Sequence, residues 1–128
     1  MTDGDLTADR NTVTSNQVVN TQIGDGIDVC SDHNTLIGNT VISSGESGIH
    51  LDSLCGATGT RNTVGANIVN EACAGILKGG SPNTYATNTF WNVVNTTLAG
   101  DVCPATLPSA LLPRQAVSPR NSFVPVRP

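Results

Sequence analysis

The chain has 128 residues, a formal net charge of −4, a charged fraction of 12% and 6 Lys and Arg in total. Because no basic stripe is present, this balance excludes the usual kind of nucleic-acid-binding protein. No apolar stretch is long enough to span a bilayer, and the first residues lack the basic and apolar regions of a signal peptide. The length is sufficient for one domain.

Three parts follow one another along the chain. Residues 1–10 are polar and are interpreted as a lead or as the remnant of a preceding coil. Residues 11–103 contain an internal repeat. In residues 104–128 a proline occurs every few residues. Because proline cannot donate to a β ladder, this last part predicts a partial cap or a linker.

The repeat is a phrase that reads Asn-Thr-apolar-x-x-Asn-x-apolar. Its four copies begin at Asn11, Asn34, Asn62 and Asn83. A second phrase, Gly-Ile, follows three of them and begins at Gly26, Gly48 and Gly75. The steps between copies are 23, 28 and 21 residues, so the length variation lies in loops. The predicted coils are residues 11–32, 33–61, 62–82 and 83–103.

Short runs rich in Val, Ile and Thr, with apolar and polar residues alternating, predict strands rather than helices. A repeat of this length then predicts one coil of a β-solenoid, in which each coil buries its apolar residues against the next. Three inward columns are expected: Val13, Leu36, Val64 and Tyr85; Val18, Val41, Val69 and Phe90; Ile27, Ile49 and Ile76. The large aromatic residues of the fourth coil suit a terminal rung.

The two asparagines of each phrase are predicted to stack as ladders at the bends of the coil. A stacked amide can donate to the amide of the next coil, and asparagine tolerates a left-handed backbone. The ladder residues are Asn11, Asn34, Asn62, Asn83, Asn16, Asn39, Asn67 and Asn88. A polar ligand site is the functional alternative for these positions.

Residues 11 to about 98 resemble the right-handed parallel β-helix repeat proteins, the pectate-lyase-like superfamily. The resemblance implies an all-β right-handed parallel β-helix of about four coils. That superfamily includes polysaccharide lyases, pectin hydrolases, uronan epimerases, phage adhesins and periplasmic copper-enzyme maturation proteins, so the fold alone does not select a function. Since the first coil begins by residue 11 without a cap, the chain is expected to be a C-terminal fragment whose upstream coils are missing.

The composition and the four cysteines indicate an extracellular or periplasmic location. Four cysteines allow three pairings, which the sequence does not distinguish. Cys55 and Cys73, which lie in the loops on either side of the third coil's first strands, are the pair that we expect. Free buried thiols are the alternative.

One group of ionisable residues is predicted on the outer face of the Gly-Ile strands. In register, Asp28, His50 and Leu77 share an outward column, with Asp25, Asp52 and Lys78 close by. A histidine between carboxylates can serve as a base, so Asp28, His50, Asp52 and Lys78 are candidate catalytic residues. The simpler interpretation is a surface pair of little energetic consequence.

Two binding residues and no cofactor are predicted. Asp25 belongs to the outer face, and Trp91 is a candidate for stacking on a sugar. The chain offers too few His, Cys and Met residues to predict a copper or zinc site. Asp25, Asp28 and Asp32 have a loose calcium-like spacing but lack an ordered ligand loop, so calcium is only a minor alternative.

The sequence therefore predicts a non-catalytic structural or recognition segment of a secreted or envelope β-helix protein. Its expected partner is a polysaccharide or another surface protein, with no nucleic acid and no membrane span. The alternative is part of a polysaccharide lyase, hydrolase or epimerase that acts through Asp28 and His50.

Overall fold

The structure is a computed structural model that describes residues 9–55 and 59–104. The described residues form ten strands and no helix that could cross a membrane. The strands are β1 (Thr12–Thr14), β2 (Gln17–Thr21), β3 (Ile27–Val29), β4 (Thr35–Ile37), β5 (Thr40–Ser44), β6 (Ser47–Leu51), β7 (Thr63–Gly65), β8 (Ile68–Lys78), β9 (Thr84–Tyr85) and β10 (Thr89–Ala99). Nearly all of the predicted lead and of the Pro-rich tail lies outside the described residues.

The strands stack coil on coil, and every strand pair is parallel. The first coil contains β1 to β3, the second β4 to β6, the third β7 and β8, and the fourth β9 and β10. One sheet has the order β1-β4-β7-β9. In the other, β8 pairs with both β5 and β6 because the second and third strands of its coil are continuous, and β10 pairs with β8. The predicted all-β parallel solenoid of about four coils is confirmed.

The apolar columns have the predicted register. Leu36 pairs with Val13 and Val64, and Val41 pairs with Val18 and Val69. Side chains of the inner coils are excluded from water, with Leu36, Val41, Val64 and Val69 all 0% exposed. The first coil is only partly covered, and Tyr85 in the fourth coil is 37% exposed. Burial is therefore deepest in the second and third coils.

The glycine of each Gly-Ile phrase is required by packing. A Cβ on Gly48 would overlap both methyl groups of Val69, and one on Gly75 would overlap the ring of Phe90. The side chain that fills this space comes from the neighbouring coil. The phrase thus marks the point where two apolar columns meet inside the solenoid.

The paired asparagines are joined by hydrogen bonds from coil to coil. Asn39 donates its backbone N–H to Asn67 Oδ1 over 2.9 Å and its Nδ2 to the same oxygen over 3.0 Å. Asn34 makes the same two bonds to Asn62 Oδ1, over 2.7 and 3.0 Å. All four side chains are at most 1% exposed. Each amide oxygen therefore accepts a backbone and a side-chain donor inside the protein.

In the first three coils the left-handed residue at these bends is the residue before the asparagine, which differs from the prediction. Two columns have positive φ angles at such positions: Arg10, His33 and Arg61; Ser15, Gly38 and Ala66. The asparagine itself is then free to point inward along the ladder. A third left-handed column, which the sequence analysis missed, consists of Asn20, Ser43, Glu71 and Asn92.

The predicted Cys55–Cys73 disulfide is wrong. The structure pairs Cys30 with Cys55 and Cys73 with Cys103, and none of the four is free. Cys30 follows β3 and Cys55 follows β6, and these two strands are paired in register. Their cysteines therefore emerge at one edge, with Cα atoms 5.5 Å apart. Cys73 lies within β8 and bonds to the segment after β10.

Candidate metal centre

A cluster of ionisable side chains surrounds His50. It lies along the edge of the solenoid that is formed by β3, β6 and the segments before β3 and after β10. Asp28 on β3 is the register partner of His50 on β6, as the Gly-Ile alignment predicted. Asp25 lies just before β3, and Asp101 lies just after β10. The cluster therefore collects residues from the first, second and fourth coils.

His50 is at the centre of the cluster and is 5% exposed. Its Nδ1 lies 3.0 Å from Asp25 Oδ2, and its Nε2 lies 3.0 Å from Asp101 Oδ1. The simple interpretation of a surface pair with Asp28 does not describe this environment. The ring is instead clamped between two carboxylates of different coils.

The two carboxylates determine the charge of His50. Burial alone would lower the pKa of the imidazole, but the hydrogen bonds to Asp25 and Asp101 outweigh it and raise the pKa to about 9. The imidazole is therefore positively charged at neutral pH and donates from both nitrogens.

Serine side chains hold both clamping carboxylates. Asp25 Oδ1 accepts the backbone N–H of Ser47 over 2.9 Å and its hydroxyl over 2.6 Å. Asp101 accepts the Ser53 backbone N–H over 2.9 Å and the Ser53 hydroxyl over 2.5 Å. Burial favours the neutral acids, but these hydrogen bonds and His50 prevail and lower the pKa of both Asp25 and Asp101. Both groups are thus ionised and fixed in orientation.

Asp101 reaches His50 from two coils away. The path crosses the third coil at Gly79, where a Cβ would overlap the Asp101 carboxylate. Only glycine at this position leaves room for the Asp101 carboxylate to cross the third coil and reach His50. Asp101 was not predicted because it lies outside the repeated phrases. Gly79 was the sequence feature that could have indicated the close approach of a side chain from the next coil.

Asp28 differs from the other acids of the cluster. Its Oδ1 is buried and accepts no hydrogen bond, although it lies 3.7 Å from His50 Nδ1. Burial raises the pKa of Asp28 to about 6, with His50 acting in the opposite direction. Buried polar atoms without a partner are rare and need an explanation. This oxygen is a hydrogen-bond acceptor that lies close to the imidazole but accepts no hydrogen bond from it.

The remaining predicted site residues are divided between this edge and other parts of the surface. Asp52 follows β6, and its Oδ1 accepts the Leu54 N–H over 2.6 Å. Lys78 is in register with Leu51 rather than with His50, and its Nζ lies 5.4 Å from the centre of the Tyr85 ring. Trp91 lies on β10 and is 60% exposed. The structure thus brings together Asp25, Asp28, His50 and Asp52, but not Lys78 or Trp91.

Among the described residues, three overlapping sets of side chains have the spacing of metal ligands, and two of these sets contain His50. One atom each of Asp25, Asp28 and His50 lies within 4.8 Å of the others, and the same holds for His50, Asp52 and Asp101. Their donor atoms are an imidazole nitrogen and carboxylate oxygens, which suit divalent transition metals. Because four carboxylates accompany one imidazolium, the cluster also has an excess of negative charge that attracts cations.

The chain matches a protein-family model. No curated protein and no solved structure matched the chain. A family model described as "NosD: Periplasmic copper-binding protein (NosD)" matches residues 5–106. Together with the two disulfides, this match indicates a periplasmic or extracellular location, as predicted.

The match also corrects the expectation about cofactors. The prediction of no cofactor, with calcium as the alternative, is wrong because the family is described as copper-binding. That prediction relied on counting His, Cys and Met residues, whereas the cluster obtains most of its donors from aspartate. Since the match covers far more than half of the 128 residues, the chain belongs to the NosD family of periplasmic parallel β-helix proteins.

Proposed function

We propose that this protein is a non-catalytic, copper-binding segment of the cell envelope that holds Cu(II) between Asp25, Asp28 and His50. The observation that carries the proposal is the buried Asp28 Oδ1, which lies 3.7 Å from His50 Nδ1 and accepts no hydrogen bond. A metal ion bound there would use this oxygen, the Nδ1 lone pair and Asp25 Oδ2. His50 Nδ1 lies 3.0 Å from Asp25 Oδ2 and 3.7 Å from Asp28 Oδ1, and one ligand atom from each of the three residues lies within 4.8 Å of the others.

The donor chemistry fits Cu(II) better than Cu(I). Imidazole nitrogen and carboxylate oxygen suit tetragonal Cu(II), and Cu(II) binds such sites more tightly than the other common divalent metals. Cu(I) prefers thiolate and thioether sulfur. The four cysteines are all in disulfides, so this form of the protein offers no thiolate.

Residues that hydrogen-bond to the proposed ligands fix the orientation of those ligands. A histidine that binds a metal through one nitrogen usually donates its other N–H to a carboxylate. Asp101 takes this place at Nε2, and Ser53 fixes Asp101 through two hydrogen bonds. Ser47 holds Asp25 Oδ1 in the same way and leaves Oδ2 directed at Nδ1. The imidazole therefore presents Nδ1 to the cluster in a defined position.

Protons compete with the metal at this site. Since the pKa of His50 is about 9, Nδ1 is protonated at neutral pH and must lose its proton when a metal binds. We therefore expect apparent Cu(II) affinity to rise as the pH increases toward 9. The excess negative charge of the neighbouring aspartates partly offsets this competition.

The direct test is Cu(II) titration followed by electron paramagnetic resonance. The chain contains only two histidines, so His33, which is exposed at a bend, provides a matched control. We expect wild type and His33→Ala to show coupling to one imidazole nitrogen, and His50→Ala to lose it. Asp28→Asn should keep the nitrogen signal with weaker binding, because the neutral amide is a poorer ligand.

Each variant needs a thermal melt by circular dichroism, so that loss of copper is not confused with loss of fold. A His50→Ala protein that remains folded and shows the wild-type Cu(II) spectrum would refute the proposed site.

Contact with a glycan or another surface protein is a second candidate function, which one feature supports. Trp91 is 60% exposed and pairs with Asn70, while Ile68, which is 41% exposed, lies two residues before Asn70 on the same face. Both side chains are apolar and exposed on the same face of the sheet, and exposed apolar surface can mark a contact site. Calorimetric titration with added polysaccharides tests this candidate, with Trp91→Ala, which removes the single tryptophan, as the control for binding.

Catalysis receives less support from the geometry. An imidazolium whose pKa is about 9 cannot serve as a base at neutral pH, and both nitrogens already have partners. Lys78 lies apart from the cluster. We therefore expect no cleavage in a screen of uronan and neutral polysaccharides.

A further inference from the structure

The Cys30–Cys55 disulfide lies next to the proposed copper site and shares a residue with it. Cys30 Sγ is 4.0 Å from Asp28 Oδ2. One atom each of Asp28, Cys30, Asp52 and Cys55 lies within 4.8 Å of the others. Asp28 thus belongs both to this group and to the group with Asp25 and His50. Two sulfur atoms are therefore adjacent to an oxygen and nitrogen site, but their bond keeps them from acting as thiolate ligands.

We propose that the Cys30–Cys55 disulfide is a redox gate that changes the copper preference of this edge. In the oxidised protein, the ligands are those of the Cu(II) site. In the reduced protein, two thiolates lie beside Asp28 and form a site for Cu(I), because Cu(I) prefers soft sulfur ligands. This inference depends on the proposed function, since it assigns a second copper state to the same edge.

The redox step requires a dithiol donor of the cell envelope. The donor supplies two electrons and two protons and becomes a disulfide, while the Cys30–Cys55 bond breaks and yields two thiols. When Cu(I) binds, the two thiols lose their protons to solvent. Copper does not change its oxidation state in this step.

The position of Cys55 gives a reductant access to the bond. Cys30 is 2% exposed, but Cys55 is half-buried and follows Leu54, which is 75% exposed. Attack at the Cys55 sulfur would release Cys30 into the cluster. The other disulfide provides a contrast, because Cys73 and Cys103 belong to none of the ligand groups found among the described residues.

The test is competition for Cu(I) against a chromogenic chelator under anaerobic conditions. The full chain is compared before and after treatment with a phosphine reductant, which is removed before copper is added. The same measurement is made on the double variants Cys30→Ser/Cys55→Ser and Cys73→Ser/Cys103→Ser. Each retains one pair of thiols after reduction, so the two proteins are matched in sulfur content.

We expect reduction to increase Cu(I) affinity in wild type and in Cys73→Ser/Cys103→Ser. In reduced Cys30→Ser/Cys55→Ser the Cu(I) affinity should be at least about tenfold lower than in reduced wild type. Even the loss of a residue that only hydrogen-bonds to a metal ligand has an effect of that size. Equal Cu(I) affinity in both reduced double variants would overturn the gate. So would a reduced wild-type protein that has no cooperative melt at the temperature of the titration.

Cu(II) resonance spectra separate this inference from the function on which it depends. Cys30→Ser/Cys55→Ser should keep the nitrogen-coupled Cu(II) signal of His50 while losing Cu(I) binding. If that Cu(II) signal is present but Cu(I) affinity is the same with and without the Cys30–Cys55 pair, only the redox-gate inference is wrong. If oxidised wild type shows no Cu(II) signal that depends on His50, the proposed function is wrong.

Discussion

The Asn ladders and the His50 cluster both join one coil to the next, but they do so differently. In the ladders the same residue recurs in each coil, as Asn16, Asn39 and Asn67 show, and the amide oxygens of Asn39 and Asn67 each accept two donors from the coil before. The cluster uses different residues in each coil, and Asp28 Oδ1 is left without a donor. The ladder hydrogen bonds repeat from coil to coil, whereas the cluster occurs once and contains a hydrogen-bond acceptor without a donor.

This difference separates the scaffold from the proposed metal site within one fold. A repeated hydrogen bond stabilises every coil equally and selects no ligand. A charged group that occurs once, with an unused acceptor beside it, is costly unless the surroundings or a ligand compensate. We therefore expect changes in the scaffold to act on unfolding, and changes in the cluster to act on charge and metal binding.

The largest expected effect comes from the core that the ladders enclose. Val41→Asp should unfold the protein, because Val41 is 0% exposed and burying a charge costs several kcal/mol, on the order of the whole stability. Loss of the cooperative circular dichroism melt would show this. A melt at the wild-type temperature would contradict the buried column.

A smaller effect is expected in the ladder itself. Asn39→Ala removes the side-chain donor to Asn67 Oδ1 and to the Val13 carbonyl, and it leaves the Asn16 N–H without its acceptor. The free energy of unfolding should fall by about 1–3 kcal/mol. Thr40→Ala, next in sequence and only half-buried, is the control for urea unfolding. Equal urea midpoints for the two variants would remove the energetic role of the ladder.

The cluster should instead make stability depend on pH. The pKa of His50 is about 9 in the folded protein, above its ordinary value of 6.5. The charged imidazole therefore contributes its full stabilisation below pH 6.5, and this is lost as the pH rises to about 9. Because each unit of pKa shift corresponds to about 1.4 kcal/mol, we expect the free energy of unfolding to decrease by about 2–3 kcal/mol over that range.

His50→Gln is the comparison for this pH effect, because glutamine keeps hydrogen-bonding capacity without titrating. Its unfolding free energy should change less than that of wild type between pH 6.5 and 9. Parallel curves for the two proteins would mean that His50 is not the group responsible.

The smallest change sharpens the link between Asp101 and the cluster. Gly79→Ala places a Cβ where the Asp101 carboxylate lies, so the hydrogen bond to His50 Nε2 should break. The pKa of His50 should then fall toward its ordinary value in an NMR titration, as it should in Asp101→Asn. Glu46→Gln, an exposed change on another loop, should leave it unaltered. An unchanged pKa of His50 in Gly79→Ala would contradict the claim that Asp101 reaches His50 across Gly79.

The sequence predicted the fold well because the repeat determines register. Once Asn34 is aligned with Asn62 and Gly48 with Gly75, every inward residue between them is assigned. The pairing of Asp28 with His50 follows from the same alignment. The left-handed residues were misplaced by one position, since any residue type at the bend satisfies the repeat, as Arg10, His33 and Ala66 illustrate.

The remainder of the site could not be predicted because it depends on residues outside the repeat. Asp101 approaches from the end of β10 and crosses a coil at Gly79, and no periodicity encodes that path. The disulfide partners were equally undetermined, because Cys30 and Cys55 meet only through the loops after β3 and β6. The raised pKa of His50 depends in part on its hydrogen bond with Asp101, so the charge of His50 could not be predicted from the sequence either.

The most direct test of the account is crystallographic. Crystals of the oxidised protein soaked with Cu(II) at pH 8 and measured at the copper absorption edge should show an anomalous difference peak. We predict the peak beside His50 Nδ1, within bonding distance of carboxylate oxygens of Asp25 and Asp28. A peak only at His33 or elsewhere on the surface, or no peak beside His50, would contradict the assignment of this edge as the copper site.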